Sequence, residues 1–91
     1  MAVSVQHNDD ASRFEAEVAG GLAHLDYNRF NEGIVLAHTK VPKQSERQGV
    51  GGELVKAAVE WARSADMRVI ATCPFVRAYL QRHPEMANVV R

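Results

Sequence analysis

A single cysteine, Cys73, excludes an intrachain disulfide, so packing alone must hold the fold together, and thiol-poor usage fits a reducing compartment. Charge of one sign is not in excess. Eleven basic side chains balance eleven acidic ones, which argues against a nucleic-acid binder that relies on bulk positive charge. Only Lys40, Lys43 and Arg47 make a small local basic patch. No apolar run approaches the roughly 18 residues that cross a bilayer, and no apolar stretch follows basic residues at the N-terminus. The expectation is therefore a cytoplasmic protein with neither a membrane nor a nucleic acid as partner. Four scattered histidines and one cysteine lack ligand spacing, so no metal site is expected. At 91 residues the chain has room for one domain, 1–91, with one modest core.

What is present reads as strands first. Val3 to His7 alternates apolar and polar residues, the period of a half-buried strand, and Asn8-Asp9-Asp10 supplies turn chemistry. Arg13 to Val18 alternates again, with Phe14, Ala16 and Val18 on one face. Gly20-Gly21 turns the chain into Leu22–Phe30, where Ala23, Leu25 and Tyr27 share a face, predicting an antiparallel meander. Ile34-Val35-Leu36-Ala37 is apolar on both faces, as expected of a strand covered on both sides.

The polar stretch from Thr39 to Gln48 contains Pro42 and reads as a loop. Beyond it, Leu54, Val55, Ala58, Trp61, Ala62 and Ala65 recur at spacings of three and four, which predicts a helix over Glu53–Ala65, ended by Asp66. Arg68–Thr72 is of strand length and rich in β-branched residues. Strand, helix and strand together predict a βαβ unit with Ile34–Thr39 and Arg68–Thr72 parallel. Pro74 suits the first turn of a second helix, which must stop near His83-Pro84. The fold class is thus α/β (α+β): an antiparallel meander, a βαβ unit with parallel strands, and a C-terminal helix on one mixed sheet. The tail from Glu85 to Arg91 either docks on the sheet or frays.

Between the parallel strands lies the turn Arg47-Gln48-Gly49-Val50-Gly51-Gly52. A glycine-rich turn at a helix N-terminus can hold an anion, because backbone N–H groups and the positive end of the helix dipole face it. Glycines also occur where a helix and its neighbours pack tightly, and the turn alone leaves both readings open. Two phosphate loops do not fit. There is no Gly-Lys-Ser/Thr ending, and the glycines lack the spacing of a dinucleotide fingerprint.

Gln48-Gly49-Val50-Gly51, followed by Gly52-Glu53-Leu54-Val55, resembles the pyrophosphate loop of the GNAT superfamily of N-acetyltransferases, Arg/Gln-x-x-Gly-x-Gly/Ala. His38-Thr39-Lys40-Val41-Pro42, Thr72-Cys73-Pro74-Phe75-Val76, Tyr79-Leu80 and His83-Pro84 resemble a short, single-domain branch of it. The likeness spans about residues 13 to 85. It implies that acetyl-coenzyme A lies where the two parallel strands splay apart. Thr39 and Val41 would line the strand end, and Arg47, Gln48, Gly49, Val50, Gly51 and Gly52 would hold the pyrophosphate. The family's opening Arg/Gln falls at Glu46, which is expected to turn away from the phosphates and leave Arg47 to supply the charge.

The resemblance further implies acetyl transfer to an unidentified amine or thiol acceptor, and the sequence leaves a monomer and a weak homodimer both open. The alternative is a non-catalytic module that binds coenzyme A or an acyl-coenzyme A, or that serves interaction alone. Cys73, between a strand and a helix N-terminus, reads as a nucleophilic acyl relay or as a small buried hydrophobe. His38 reads as a base or as a structural histidine. Tyr79 falls near where larger acetyltransferases place the tyrosine that protonates the departing thiolate, and it also fits core packing.

Overall fold

The computed structural model describes residues 3–89, with side chains through Met86. Five strands form one sheet in sequential order: β1 Gln6–Asn8, β2 Arg13–Val18, β3 Gly21–Phe30, β4 Gly33–Lys40 and β5 Arg68–Ala71. β1 to β4 are antiparallel neighbours, and β5 runs parallel to β4, as the sequence predicts. The side chains of Phe14, Ala16, Ala23, Leu25, Tyr27, Ile34, Leu36 and Val69 are buried and belong to one core cluster. Each sits across from another member of that set in the strand register, for example Phe14 opposite Leu25 and Tyr27 opposite Leu36.

Helix α1, Val50–Ser64, supplies the facing layer through Val50, Leu54, Val55, Ala58, Val59 and Ala62, all fully buried. Each of its larger aliphatic side chains contributes about 1.5–3 kcal/mol by leaving water. Helix α2, Pro74–Arg82, adds Val76 and Leu80 to the same cluster. Pro74 occupies its first turn, where the missing N–H is not needed. A 3-10 turn, Pro84–Val89, then folds back against both helices. The tail beyond residue 89 and the side chains of 87–91 lie outside the described residues.

α1 starts three residues before the predicted Glu53, so Gly51 and Gly52 lie inside its first turn and not in a loop. Gly49 is the N-cap, at φ 76, a left-handed conformation in which a side chain is strained. At the other end, Asp66 adopts φ 56, the Met67 N–H donates to the Ala62 carbonyl (2.8 Å) and the Asp66 N–H to the Arg63 carbonyl (3.2 Å). That closes the helix in a Schellman motif with aspartate where glycine is usual.

The expectation that β4 is covered on both faces does not hold. Among the described residues the helices cover one face, and Val35 and Ala37 on the other are half-buried while Ile70 is 36% exposed. Val35 and Ile70 are register partners and shade each other, which explains an apolar run on an open face.

Candidate functional site

Two local features part β4 from β5. The pairing ends at Leu36–Ala71, and the Thr72 and Cys73 N–H groups both donate to the Leu36 carbonyl, at 3.1 and 3.3 Å. β4 continues to Lys40 beside β3 only, while the other chain turns into α2. The predicted splay is therefore present. In addition, the register of β3 and β4 shifts: Asp26 faces His38 but Tyr27 faces Leu36, so Ala37 is an extra, bulged residue. Past the bulge, Thr39, opposite buried Leu25, takes the helix-covered face, and His38 takes the open one.

The splay opens into a cleft of about 540 Å³ lined by Thr39 and Val41 from β4, by Glu46, Arg47 and Gly49 ahead of α1, and by Gly51 and Gly52 within it. Phe75, Tyr79, Arg82 and His83 close the α2 side. That volume lies within the range of ordinary ligand pockets. The loop before the glycines is anchored by Ser45, fully buried, whose hydroxyl donates to the Ala19 carbonyl at 2.8 Å.

The N-terminus of α1 has no side-chain cap. Its first intrahelical bond runs from the Glu53 N–H to the Gly49 carbonyl, leaving the amides of Gly49 to Gly52 without a partner among the described residues. They belong to residues that line the cleft, apart from Val50, whose side chain is buried in the core. A phosphate fits this end, because a helix terminus with unspent N–H groups favours an anion and Arg47 stands beside it. The Gln48 N–H, by contrast, donates to the Ser45 carbonyl at 3.1 Å, and Gln48 does not line the cleft. Gly51 and Gly52 also serve packing. A Cβ at Gly51 would lie 2.6 Å from the Phe75 ring and one at Gly52 2.7 Å from the Tyr79 ring.

Glu46 lines the cleft together with Arg47, just past the short helical turn Lys43–Ser45.

Cys73 is 6% exposed, and its Sγ lies 3.5 Å from the Thr39 hydroxyl. Burial pushes the thiol up, but hydrogen bonds from the Thr39 hydroxyl and from the Val76, Phe75 and Thr39 N–H groups outweigh it and hold the thiol below its ordinary value. Cys73 does not itself line the cleft but touches Thr39 and precedes Phe75 by two residues, both of which do. His38 is exposed on the opposite face, its ring 6.1 Å from that of His24, and takes no part in the cleft. Strict alternation would place it with Ile34 and Leu36; the bulge at Ala37 reverses that. Tyr79 lines the cleft but packs on Gly52 and stacks on His83 at 4.1 Å, six residues along α2 from Cys73. Burial first, then Glu53 and Glu85, push its hydroxyl up.

Phe75 and His83, which fall in the family-like motifs but carry no site role there, and Arg82, which the motifs pass over, also line the cleft. The signal was there in part, since Phe75, Tyr79 and Arg82 recur at spacings of four and three. Apolar stripes read as core, however, and Phe75 is 40% exposed on the cleft wall.

A mixed sheet with splayed parallel strands and an uncapped helix at the opening is an architecture of the GNAT type. A family model described as GCN5-related N-acetyl-transferase matches residues 13–89, and the chain belongs to that family. Among its relatives, Protein NATD1 of Mus musculus is 28% identical over 85 residues, covering 90% of this chain and 77% of the relative. Protein NATD1 of Homo sapiens is also 28% identical, covering 90% and 75%. The NMR structure of a GCN5-like protein from Staphylococcus aureus superposes with a TM-score of 0.77 at 28% identity, covering 97% of this chain and 87% of that one. No helix of the described residues is long and apolar enough to cross a membrane.

Proposed function

We propose that the cleft binds acetyl-coenzyme A and that the protein transfers the acetyl group to an amine or thiol acceptor. The observation that carries this reading is the uncapped α1 terminus, whose Gly49 to Gly52 amides and neighbouring Arg47 suit a pyrophosphate at the mouth of the strand splay. Acetyl-coenzyme A, when bound, supplies an activated thioester. Thr39 and Val41 line the strand end that would carry the pantetheine arm, and Phe75 shields it from water on the α2 side.

Cys73 is the nucleophile nearest that end. Its thiolate is favoured by the Thr39 and α2 amide hydrogen bonds. In the relay, the sulfur bonds to the acetyl carbon as the bond to the coenzyme sulfur breaks, releasing coenzyme thiolate. The acceptor then attacks acetylated Cys73 and restores its thiolate. His38 faces the other side of the sheet, so the acceptor loses its proton to solvent.

Titration with acetyl-coenzyme A and with coenzyme A tests the cofactor reading, and absence of binding at millimolar ligand would overturn it. Intact mass after incubation with acetyl-coenzyme A tests the relay: one acetyl group is expected on wild type and none on Cys73→Ala. An unmodified wild type, with Cys73→Ala as active as wild type on an identified acceptor, removes the relay and leaves direct transfer.

A further inference from the structure

The cleft has a direction. Phe75, Tyr79 and Arg82 lie on one face of α2, and this face runs along the cleft for about 10 Å at 1.5 Å per residue. Phe75 meets Gly51 and Tyr79 meets Gly52, so the free amides of α1 lie beside the first two. Cys73 and Thr39 mark the inner end. Arg82 and His83 then lie beyond the amides, nearly a helical turn past Tyr79, on the side away from the thiol.

Arg82 is exposed and, among the described residues, has no carboxylate partner. Arg13, Arg29 and Arg68 are each paired with a carboxylate. Arg47 on the facing wall is likewise unpaired among the described residues. Glu85, on the α2 side, is 3.5 Å from His83 Nδ1 and makes no ion pair with Arg82 among the described residues. An unpaired guanidinium at the far end of an anion-binding cleft presents a planar fork suited to a phosphate.

Resting on the acetyl-coenzyme A reading, we infer that Arg82 binds the 3′-phosphate of the coenzyme's adenosine and makes the cleft selective for the 3′-phosphorylated form. A coenzyme whose thioester is at Cys73 and whose pyrophosphate is at Gly49–Gly52 has only its nucleotide left to place beyond Tyr79. The 3′-phosphate is the dianionic group on that part. An arginine in the last turn of α2 also favours the helix dipole, but that role predicts no discrimination between ligands.

The test is calorimetric titration of coenzyme A and of 3′-dephospho-coenzyme A into wild type, Arg82→Gln and Arg77→Gln. Arg77 is exposed on α2 but does not line the cleft. Wild type is expected to prefer coenzyme A by about 10- to 100-fold, the scale of one charge-assisted contact. Arg82→Gln is expected to lose that preference by weakening coenzyme A alone, and Arg77→Gln to keep it. Equal wild-type affinity for the two ligands, or a preference that survives in Arg82→Gln, overturns the assignment and leaves the cofactor reading intact. Failure of wild type to bind either ligand overturns both. Thermal melts of the variants confirm that the exposed substitutions leave the fold unchanged.

Discussion

The Thr39 hydroxyl lies 3.5 Å from Cys73 Sγ, across the point where β4 and β5 part. This contact joins the two chains beyond their last backbone bonds, which end on the Leu36 carbonyl, and it helps hold the thiol below its ordinary value. Thr39→Val preserves shape and removes the donor. The rate of iodoacetamide alkylation of Cys73, followed against pH, should then show its midpoint move upward toward that of a free thiol. An unchanged midpoint would assign the shift to the α2 amides alone.

Gly51 and Gly52 predict different outcomes for the same substitution. The atom nearest a Cβ at Gly51 is the far end of Phe75, a ring 40% exposed and free to swing. Gly51→Ala should change stability little, since the helix gains about 1 kcal/mol of propensity against the displacement, while coenzyme affinity falls as the ring enters the cleft. At Gly52 the obstacle is the edge of Tyr79, pinned by its stack on His83. Gly52→Ala should cost about 1–3 kcal/mol by overpacking. Urea denaturation and ligand titration on the two variants separate these effects.

Ser45 ties the loop before α1 to the turn after β2. Ser45→Ala leaves the Ala19 carbonyl without this partner and should cost about 1–3 kcal/mol in denaturant midpoint analysis. Coenzyme affinity should fall with it, because Glu46 and Arg47 lose their anchor. Full affinity in a destabilised variant would show that the loop is held by its other contacts.

At the far end of the sheet the Tyr27 hydroxyl donates to Asp9 Oδ1 at 2.6 Å, with His7 Nε2 also 2.6 Å from that hydroxyl. The bond from Tyr27 holds Asp9 below the ordinary carboxylate value, helped by Arg29 and His7 against partial burial. Burial and the same bond push Tyr27 up. For Asp9 the stabilisation is present above about pH 4 and is lost as pH falls through the lowered folded value. For Tyr27 it is present below about pH 10 and fades above that, where the unfolded chain ionises. Asp9→Asn should flatten the loss of melting temperature below pH 4. Equal slopes in the two proteins would deny the bond that role.

Much of the architecture was legible because sheet and helix periods differ. Phe14–Val18, Ala23–Tyr27 and the Leu54–Ala62 stripe announce both their elements and their buried faces. The glycine turn, the splay and the cysteine before α2 were also readable from residue type and order. Phase was not. A strand's period of two carries no mark of a bulged residue, so His38 was assigned to the site and its neighbour Thr39 only to the cofactor. The start of α1 was obscured because glycine is a poor helix former on its own; here the close rings of Phe75 and Tyr79 leave no room for a side chain. Arg82 belongs to the cleft only through the packing of α2 on α1, a relation between distant segments.

The bulge at Ala37 makes strand register, more than residue identity, the determinant of what stands over Cys73. Were the full-length strand to pair without the bulge, Thr39 would turn outward and the His38 imidazole would face the sulfur in its place, whereas deleting Ala37 would leave Thr39 inward in a regular strand. Two kinds of thiol environment are thus one residue of register apart on this scaffold.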